Sequence, residues 1–408
     1  MTEASTPAAP KPPAIAADEL GGLERLRRRV TQGELGSLPV IGGLILIWAV
    51  FQILNPNFLS PRNLSNLMLQ IADMGTIAVG LVLVLLLGEI DLSAGSVSGL
   101  GAGVLGVLAV KHHVPAALAV AAGVLTGSVI GFVQGFWFTR FKIPSFVVTL
   151  AGLLAWEGAL ILILGDTGTI NLFDPGIDAI AGDFLSVFQG WAVAAVALAV
   201  FVAGMLLTRR RRTAAGLEVD PISGLVLRVG VASVLVLATV FVLNSDRGVP
   251  FAVLLLLGFV VGFDYLLRRT RWGRHVFAVG GNAEAARRAG ISVTGIRLSV
   301  FTLAGTMAAI GGIIGASRLL AVNQSSGSGD VLLNAIAAAV IGGTSLFGGR
   351  GTVWAALTGA LVIGSISNGM DLLALAASIR FMVIGGALLA AVTVDALARQ
   401  GRQSAGRA

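Results

Sequence analysis

Gly88-Glu89-Ile90-Asp91-Leu92-Ser93-Ala94-Gly95-Ser96 places two carboxylates between apolar runs long enough to lie in a lipid bilayer. An ionised side chain at the bilayer centre costs about 2.5–3.5 kcal/mol on an insertion scale, so a chain that keeps both there shelters them in protein or water. The segment is therefore a candidate stretch of a transport path. Asp91 or Ser93 also has a purely structural reading, as the cap of a helix starting near Gly95. Glu89 has no such structural role.

The surroundings of that segment set the class. Of 408 residues, 56% are hydrophobic and 12% charged, with a mean hydropathy of +0.91, against about 25% charged in a soluble domain. Apolar runs such as 38–54 and 187–207 approach the ~20 residues needed to cross a ~30 Å hydrocarbon core. They lack the strict alternation of a barrel strand. The expectation is an all-α, polytopic transmembrane helical bundle of about 10–12 spans, some of them broken or re-entrant. The spans fall near 38–54, 64–87, 95–110, 116–138, 145–164, 187–207, 225–243, 250–267, 297–320, 331–346, 351–366 and 379–396.

Arg and Lys set the orientation, because cytoplasmic loops hold the excess of positive charge. With the N-terminus inside, Arg25 and Arg27 to Arg29, Arg140 and Lys142, Arg209 to Arg212, Arg268 to Arg274, and Arg287 with Arg288 all fall on the inner face. The opposite face keeps Arg62, Lys111 and Arg247, with Arg318 and Arg380 near span ends, and its loop 165–186 holds four aspartates and no base. An even number of spans returns the C-terminus, with Arg399 and Arg402, to the cytoplasm. The net charge of +7 is thus explained by topology, and no nucleic-acid signature accompanies it. Residues 1–37 read as a disordered cytosolic lead-in rich in Pro and Ala, residues 38–398 as the membrane unit and 399–408 as a cytosolic tail. There is no cysteine, and the adjacent His112 and His113 lack metal-ligand spacing, so no metal site is expected.

Glycine is abundant, at 55 residues, and Gly95, Gly99 and Gly103, like Gly311, Gly312 and Gly315, suit close helix packing. Polar residues inside the spans are Gln70, Asp73, Gln134 and Glu157; of these, Asp73 and Glu157 join Glu89, Asp91 and Ser93 as candidate path residues. On the inner face, within a loop of about 271–295, Val279 to Ile291 reads as a short polar helix. Asn282 is its N-cap, Ala283 to Ala289 its body and Gly290 its left-handed stop. It is either a loop anchored to lipid phosphates through Arg287 and Arg288 or a docking helix for a cytosolic partner.

Three stretches carry a resemblance. The first is Gly88 to Val97, the second Gly281-Asn282-Ala283-Glu284-Ala285-Ala286-Arg287-Arg288-Ala289-Gly290-Ile291, and the third Ala335-Ile336-Ala337-Ala338-Ala339-Val340-Ile341-Gly342-Gly343-Thr344-Ser345-Leu346-Phe347-Gly348-Gly349-Arg350-Gly351. Together, over roughly 75–370, they resemble the permease subunit of bacterial ABC sugar importers, nearest in pattern to the xylose group of the family that also holds ribose and branched-chain amino-acid permeases. The resemblance implies two permease copies around a path, a cytosolic ABC ATPase, an extracytoplasmic sugar-binding protein, and residence in the bacterial inner membrane with both termini cytoplasmic. It also implies that Asn282, Glu284, Ala285, Ala286, Arg287 and Gly290 form the coupling helix against the ATPase. On this reading the chain is not an enzyme and binds no cofactor, ATP and Mg being used by the partner. That agrees with the lack of G-x-x-x-x-G-K-[ST], for which Gly348-Gly349-Arg350-Gly351 has neither the spacing nor the Lys. Judged by residues alone, a secondary transporter with Glu89, Asp91 or Glu157 carrying protons fits the intramembrane acids equally well.

Overall fold

The computed structural model describes residues 38–217, 219 and 222–404; the expected lead-in of 1–37 lies outside them. The helices are α1 (Leu38–Leu54), α2 (Pro61–Leu86), α3 (Ala94–Gly106), α4 (Ala116–Phe141), α5 (Ser145–Leu164), α6 (Pro175–Gly182), α7 (Val187–Ala214), α8 (Ile222–Asn244), α9 (Phe251–Arg269), α10 (Arg271–Gly281), α11 (Ala283–Arg288), α12 (Val293–Leu319), α13 (Gly329–Ile341), α14 (Trp354–Leu372) and α15 (Ala377–Ser404). Among the described residues eight helices are long and apolar enough to cross a membrane, namely α2, α3 with its π-helical extension to Lys111, α4, α5, α7, α8, α9 and α12. The remaining four expected spans are also helical. α1 and α13 are shorter, and α14 carries Ser365, Ser367, Asn368 and Asp371, which lower its hydropathy. α15 runs six residues past position 398, to Ser404.

α2 and α12 form the centre of the bundle, and they pack by small residues rather than by apolar bulk. Lipid tails are as apolar as leucine, so close backbone approach and dispersion hold such helices together. Of the glycines at every fourth residue of α4, Gly127, Gly131 and Gly135 face α12, and Gly123 lies against the Gly101 carbonyl of α3 and the Ile313 side chain of α12. A methyl group at Gly127 would overlap the Gly305 carbonyl, and one at Gly131 the Phe301 carbonyl. The expected glycine faces behave in the same way: a methyl at Gly312 would overlap Ser98, and one at Gly99 the Ser326 carbonyl. α2 runs antiparallel to α12, with Gly80 against Ala304 and Ile77 against Gly311.

At one end of the bundle a two-stranded antiparallel ribbon pairs β1 (Thr169–Asn171) with β2 (Ala321–Asn323), Ile170 facing Val322. There α7 begins beside α9, joined by a Phe184–Pro250 bridge and by Leu185 N–H donating to the Val249 carbonyl (2.9 Å). At the opposite end lie α10 and α11. Asn282 caps α11 by accepting from the Ala285 N–H (2.9 Å), and Gly290, at φ +80°, ends the motif in the left-handed conformation. Both features match the sequence expectation.

Candidate coupling and translocation site

The three stretches quoted from the sequence meet in space at the α10–α11 end. The Gly349 N–H donates to the Leu86 carbonyl at the close of α2 (2.9 Å). A methyl at Gly280 would overlap that same carbonyl and sit 2.9 Å from Gly349 N; one at Gly348 would sit 2.7 Å from Gly280 O and 2.8 Å from Gly88 N. Backbone therefore touches backbone from three distant parts of the chain: the acidic segment, the end of α10 and the loop after α13. Gly88, Gly348 and Gly349 all have positive φ (+73°, +80° and +71°), a conformation that glycine adopts without the strain of a side chain.

Glu89 leaves this junction toward the foot of α12. Its Oε1 lies 2.7 Å from Arg297 Nη2, and the side chains are only 14% and 28% exposed. The Arg297 guanidinium also stands 5.5 Å from the Phe138 ring centroid, and its Nε is buried without a partner among the described residues. Beyond Glu89 the chain is extended and held by side chains. Ser145 Oγ accepts from Ile90 N–H (3.3 Å), and Thr149 Oγ1 from Leu92 N–H (3.1 Å).

Of the two residues expected to cap α3, Ser93 does not and Asp91 bonds the backbone that opens the helix. Ser93 occupies the N-cap position in an α conformation and its side chain makes no capping bond. Asp91 accepts from the Ser93 backbone (2.8 Å) and hydroxyl (2.7 Å) and from the backbone of Ala94, the first residue of α3, and the Ser93 hydroxyl in turn accepts from Gln134 Nε2 (2.9 Å). Both residues are buried, so the carboxylate is closed into the turn that opens α3, with a link through Ser93 to α4.

The remaining acids lie elsewhere. Asp73, midway along α2, pairs with Arg318 in the last turn of α12 (3.2 Å). It stands beside a cavity of about 460 Å³ whose lining includes Asn63, Asn66, Gln70, Arg318 and Asn368. Glu157 is half-buried on α5, on the stripe with Leu150, Leu154 and Ile161, which are 46%, 66% and 45% exposed. Among the described residues its carboxylate has no hydrogen-bond or ion-pair partner. The five candidate path residues thus occupy separate places: Glu89, Asp91 and Ser93 near the junction, Asp73 midway along α2, and Glu157 on an outer face.

On α11, Glu284 pairs with Arg287 (2.8 Å) and Arg288 (3.3 Å), all three more than half exposed, while Ala286 is buried and ties the helix down. Ala285 is exposed. The helix offers an outward polar face on a buried anchor. The sequence reading missed Arg297 as the partner of Glu89 and Arg318 as that of Asp73. The only local signal was an arginine placed within an otherwise apolar span.

Residues 63–392 match the family described as the branched-chain amino acid transport system / permease component. The chain is 40% identical over 343 residues to the xylose transport system permease protein XylH of Escherichia coli (strain K12), covering 84% of this chain and 87% of that one. It is 38% identical to XylH of Haemophilus influenzae (86% and 94% covered) and 30% identical to the ribose import permease protein RbsC of Escherichia coli (strain K12) (90% and 96% covered). No solved structure matches. With its apolar helices and its three converging motifs, the chain is a multi-pass membrane protein that belongs to the branched-chain amino acid transport system permease family.

Proposed function

We propose that this chain is the permease subunit of an ATP-driven ABC importer, carrying xylose or a related pentose or hexose across the bacterial inner membrane. The observation that carries the mechanism is the junction of Gly88, Gly280 and Gly348–Gly349. An ATPase seated on the exposed face of α11 moves α10, and close backbone contact passes that movement to the acidic segment and the loop after α13 without slack. The Glu89–Arg297 pair carries it on to the foot of α12. Tightly packed interiors switch between discrete arrangements rather than deforming continuously, which suits such a joint. The similarity to proteins named for xylose and ribose supports the monosaccharide.

Orientation follows from charge. The basic clusters closing α7 and α9 and those on α11 share the junction end, which supports a cytoplasmic position for that end and for both termini. The partner at the other end is a sugar-binding protein. A second copy of the chain covers α5, because a carboxylate at Glu157, about 18 Å along that helix from its start, is costly against lipid and tolerable in a watery conduit between two copies. ATP and Mg are handled by the ATPase.

Reconstitution in proteoliposomes separates this function from ion-driven transport. Labelled pentose accumulates inside only with ATP, the ATPase and the binding protein present. Accumulation by the lone chain under an imposed proton or sodium gradient overturns the reading in favour of a secondary carrier.

A further inference from the structure

The helical pair α7–α8 is fixed to the bundle at one end and open at the other. Where α7 starts, the Phe184–Pro250 bridge and the buried cluster of Ala194, Val240, Leu243 and Val249 hold it to the start of α9. Toward the junction end the two helices part, leaving a cavity of about 410 Å³ lined by Gly204, Leu207, Thr208, Arg211, Arg212 and Leu217 on one side and Arg269 on the other. Arg211, Arg212 and Arg269 make no ion pair or hydrogen bond through their side chains among the described residues. The neighbouring Arg268 is taken by Asp264 (2.7 Å), so no acid lining the cavity offsets its three guanidiniums. Glu218 and Asp220 lie outside the described residues; counting both, residues 209–220 still hold four arginines against two acids, a net +2.

The flanks of this cavity are apolar and bare. In the membrane-length stretches of α7 and α8 only 11% and 6% of residues are buried, and Val200, Leu207 and Leu217 beside the cavity are 68%, 52% and 58% exposed. Three exposed cations above an oily wall match a molecule with an anionic head and long hydrocarbon tails, since guanidinium binds phosphate oxygens in a bidentate fork. We infer that the gap between α7 and α9 is a binding site for an anionic phospholipid. The phosphate is held by Arg211, Arg212 and Arg269, and the acyl chains lie along α7. Arg269 is followed by Thr270, the N-cap of α10, so the bound lipid braces the outlying helical pair against the root of the α10–α11 element.

The test uses the full chain, purified, stripped of lipid in detergent and titrated with phosphatidylglycerol or with phosphatidylcholine of the same chains, with occupancy read by native mass spectrometry. Each basic residue near an anionic headgroup contributes about 1 kcal/mol, or roughly fivefold. Wild type should prefer phosphatidylglycerol. Arg269→Gln should weaken it about fivefold, and the triple variant Arg211→Gln, Arg212→Gln, Arg269→Gln roughly a hundredfold, with phosphatidylcholine binding unchanged. Arg210→Gln, in the same basic run but outside the cavity, should lose far less than Arg269→Gln. The single Arg269→Gln variant decides the matter if the triple variant fails to fold. Equal affinity for the two lipids, equal losses in Arg210→Gln and Arg269→Gln, or no loss in Arg269→Gln overturns the site. Displacement of phosphatidylglycerol by glycerol phosphate alone, at matched concentration, assigns the pocket to a soluble anion and overturns the lipid.

Discussion

Glu89 and Arg297 offer the sharpest test of how the acidic segment is held. Glu89→Gln keeps the shape of the side chain and removes its charge, leaving a guanidinium that is 72% covered and whose Nε already lacks a partner. Two unit charges about 4 Å apart attract by about 4 kcal/mol at an effective dielectric of 20. Breaking a fully buried pair costs about 3–5 kcal/mol, whereas an exposed pair contributes about 0.2–1 kcal/mol. With the two side chains 14% and 28% exposed, the coupling between them should be about 2 kcal/mol, a factor of roughly thirty in the local opening equilibrium. Hydrogen exchange of the segment reads that factor through the amides of Ile90 and Leu92, which donate to Ser145 and Thr149. Glu89→Gln and Arg297→Met should each raise exchange there by about thirtyfold, and the double variant should lose much less than the product of the two. Singles that exchange like wild type, or a double variant equal to that product, would refute the claim that this pair holds the segment.

The other sites give narrower expectations. Gly280→Ala puts a methyl group onto the Leu86 carbonyl; overpacking of this kind costs about 1–3 kcal/mol, and ATP hydrolysis by the assembled importer should continue while sugar uptake per ATP falls several-fold. Gly152→Ala would overlap the Gln134 amide and break its bond to Ser93, costing about 1–3 kcal/mol for the groups left unpaired, read as a lower melting temperature in detergent at unchanged oligomeric state. Glu284→Arg with Arg287→Glu keeps an ion pair on an exposed helix, worth about 0.2–0.5 kcal/mol either way. It should therefore leave membrane abundance intact and abolish ATPase co-purification, and normal co-purification would favour the lipid-anchor reading of this loop. Glu157→Gln, measured at matched abundance, should slow transport with the two-copy assembly retained; unaltered uptake would remove Glu157 from the path.

Local pattern was enough to find the membrane helices. The run 145–164 became α5 with the expected bounds, and 38–54 became α1, because length and hydropathy decide such spans without long-range information. The region 331–366 was harder. Helix gives way at Gly342 to a turn-rich loop that owes its shape to docking on Gly88 and Gly280, a contact invisible to any window of sequence. The partners of the acids were hidden for the same reason, Glu89 and Arg297 being 208 positions apart. Ser93 looked like a cap because serine favours caps, yet Gln134 on α4 offered its side chain a better bond. α11 was legible in full, since Asn282 and Gly290 define it from within.

On the proposed mechanism, α11 and the acidic segment move as one body across the glycine junction. The chain has no cysteine, so spin labels can be placed singly and cleanly at Ala285 and Ile90, both exposed. Electron–electron resonance distances are then measured in the complete importer with and without ATP, alongside a second pair joining Ile90 to the exposed Phe188 at the start of α7, an element with no contact to the acidic segment among the described residues. The Ala285–Ile90 distance should stay constant between nucleotide states while the Ile90–Phe188 distance changes. A change in Ala285–Ile90 in a sample that still transports sugar would show that the glycine junction does not join the two as one body.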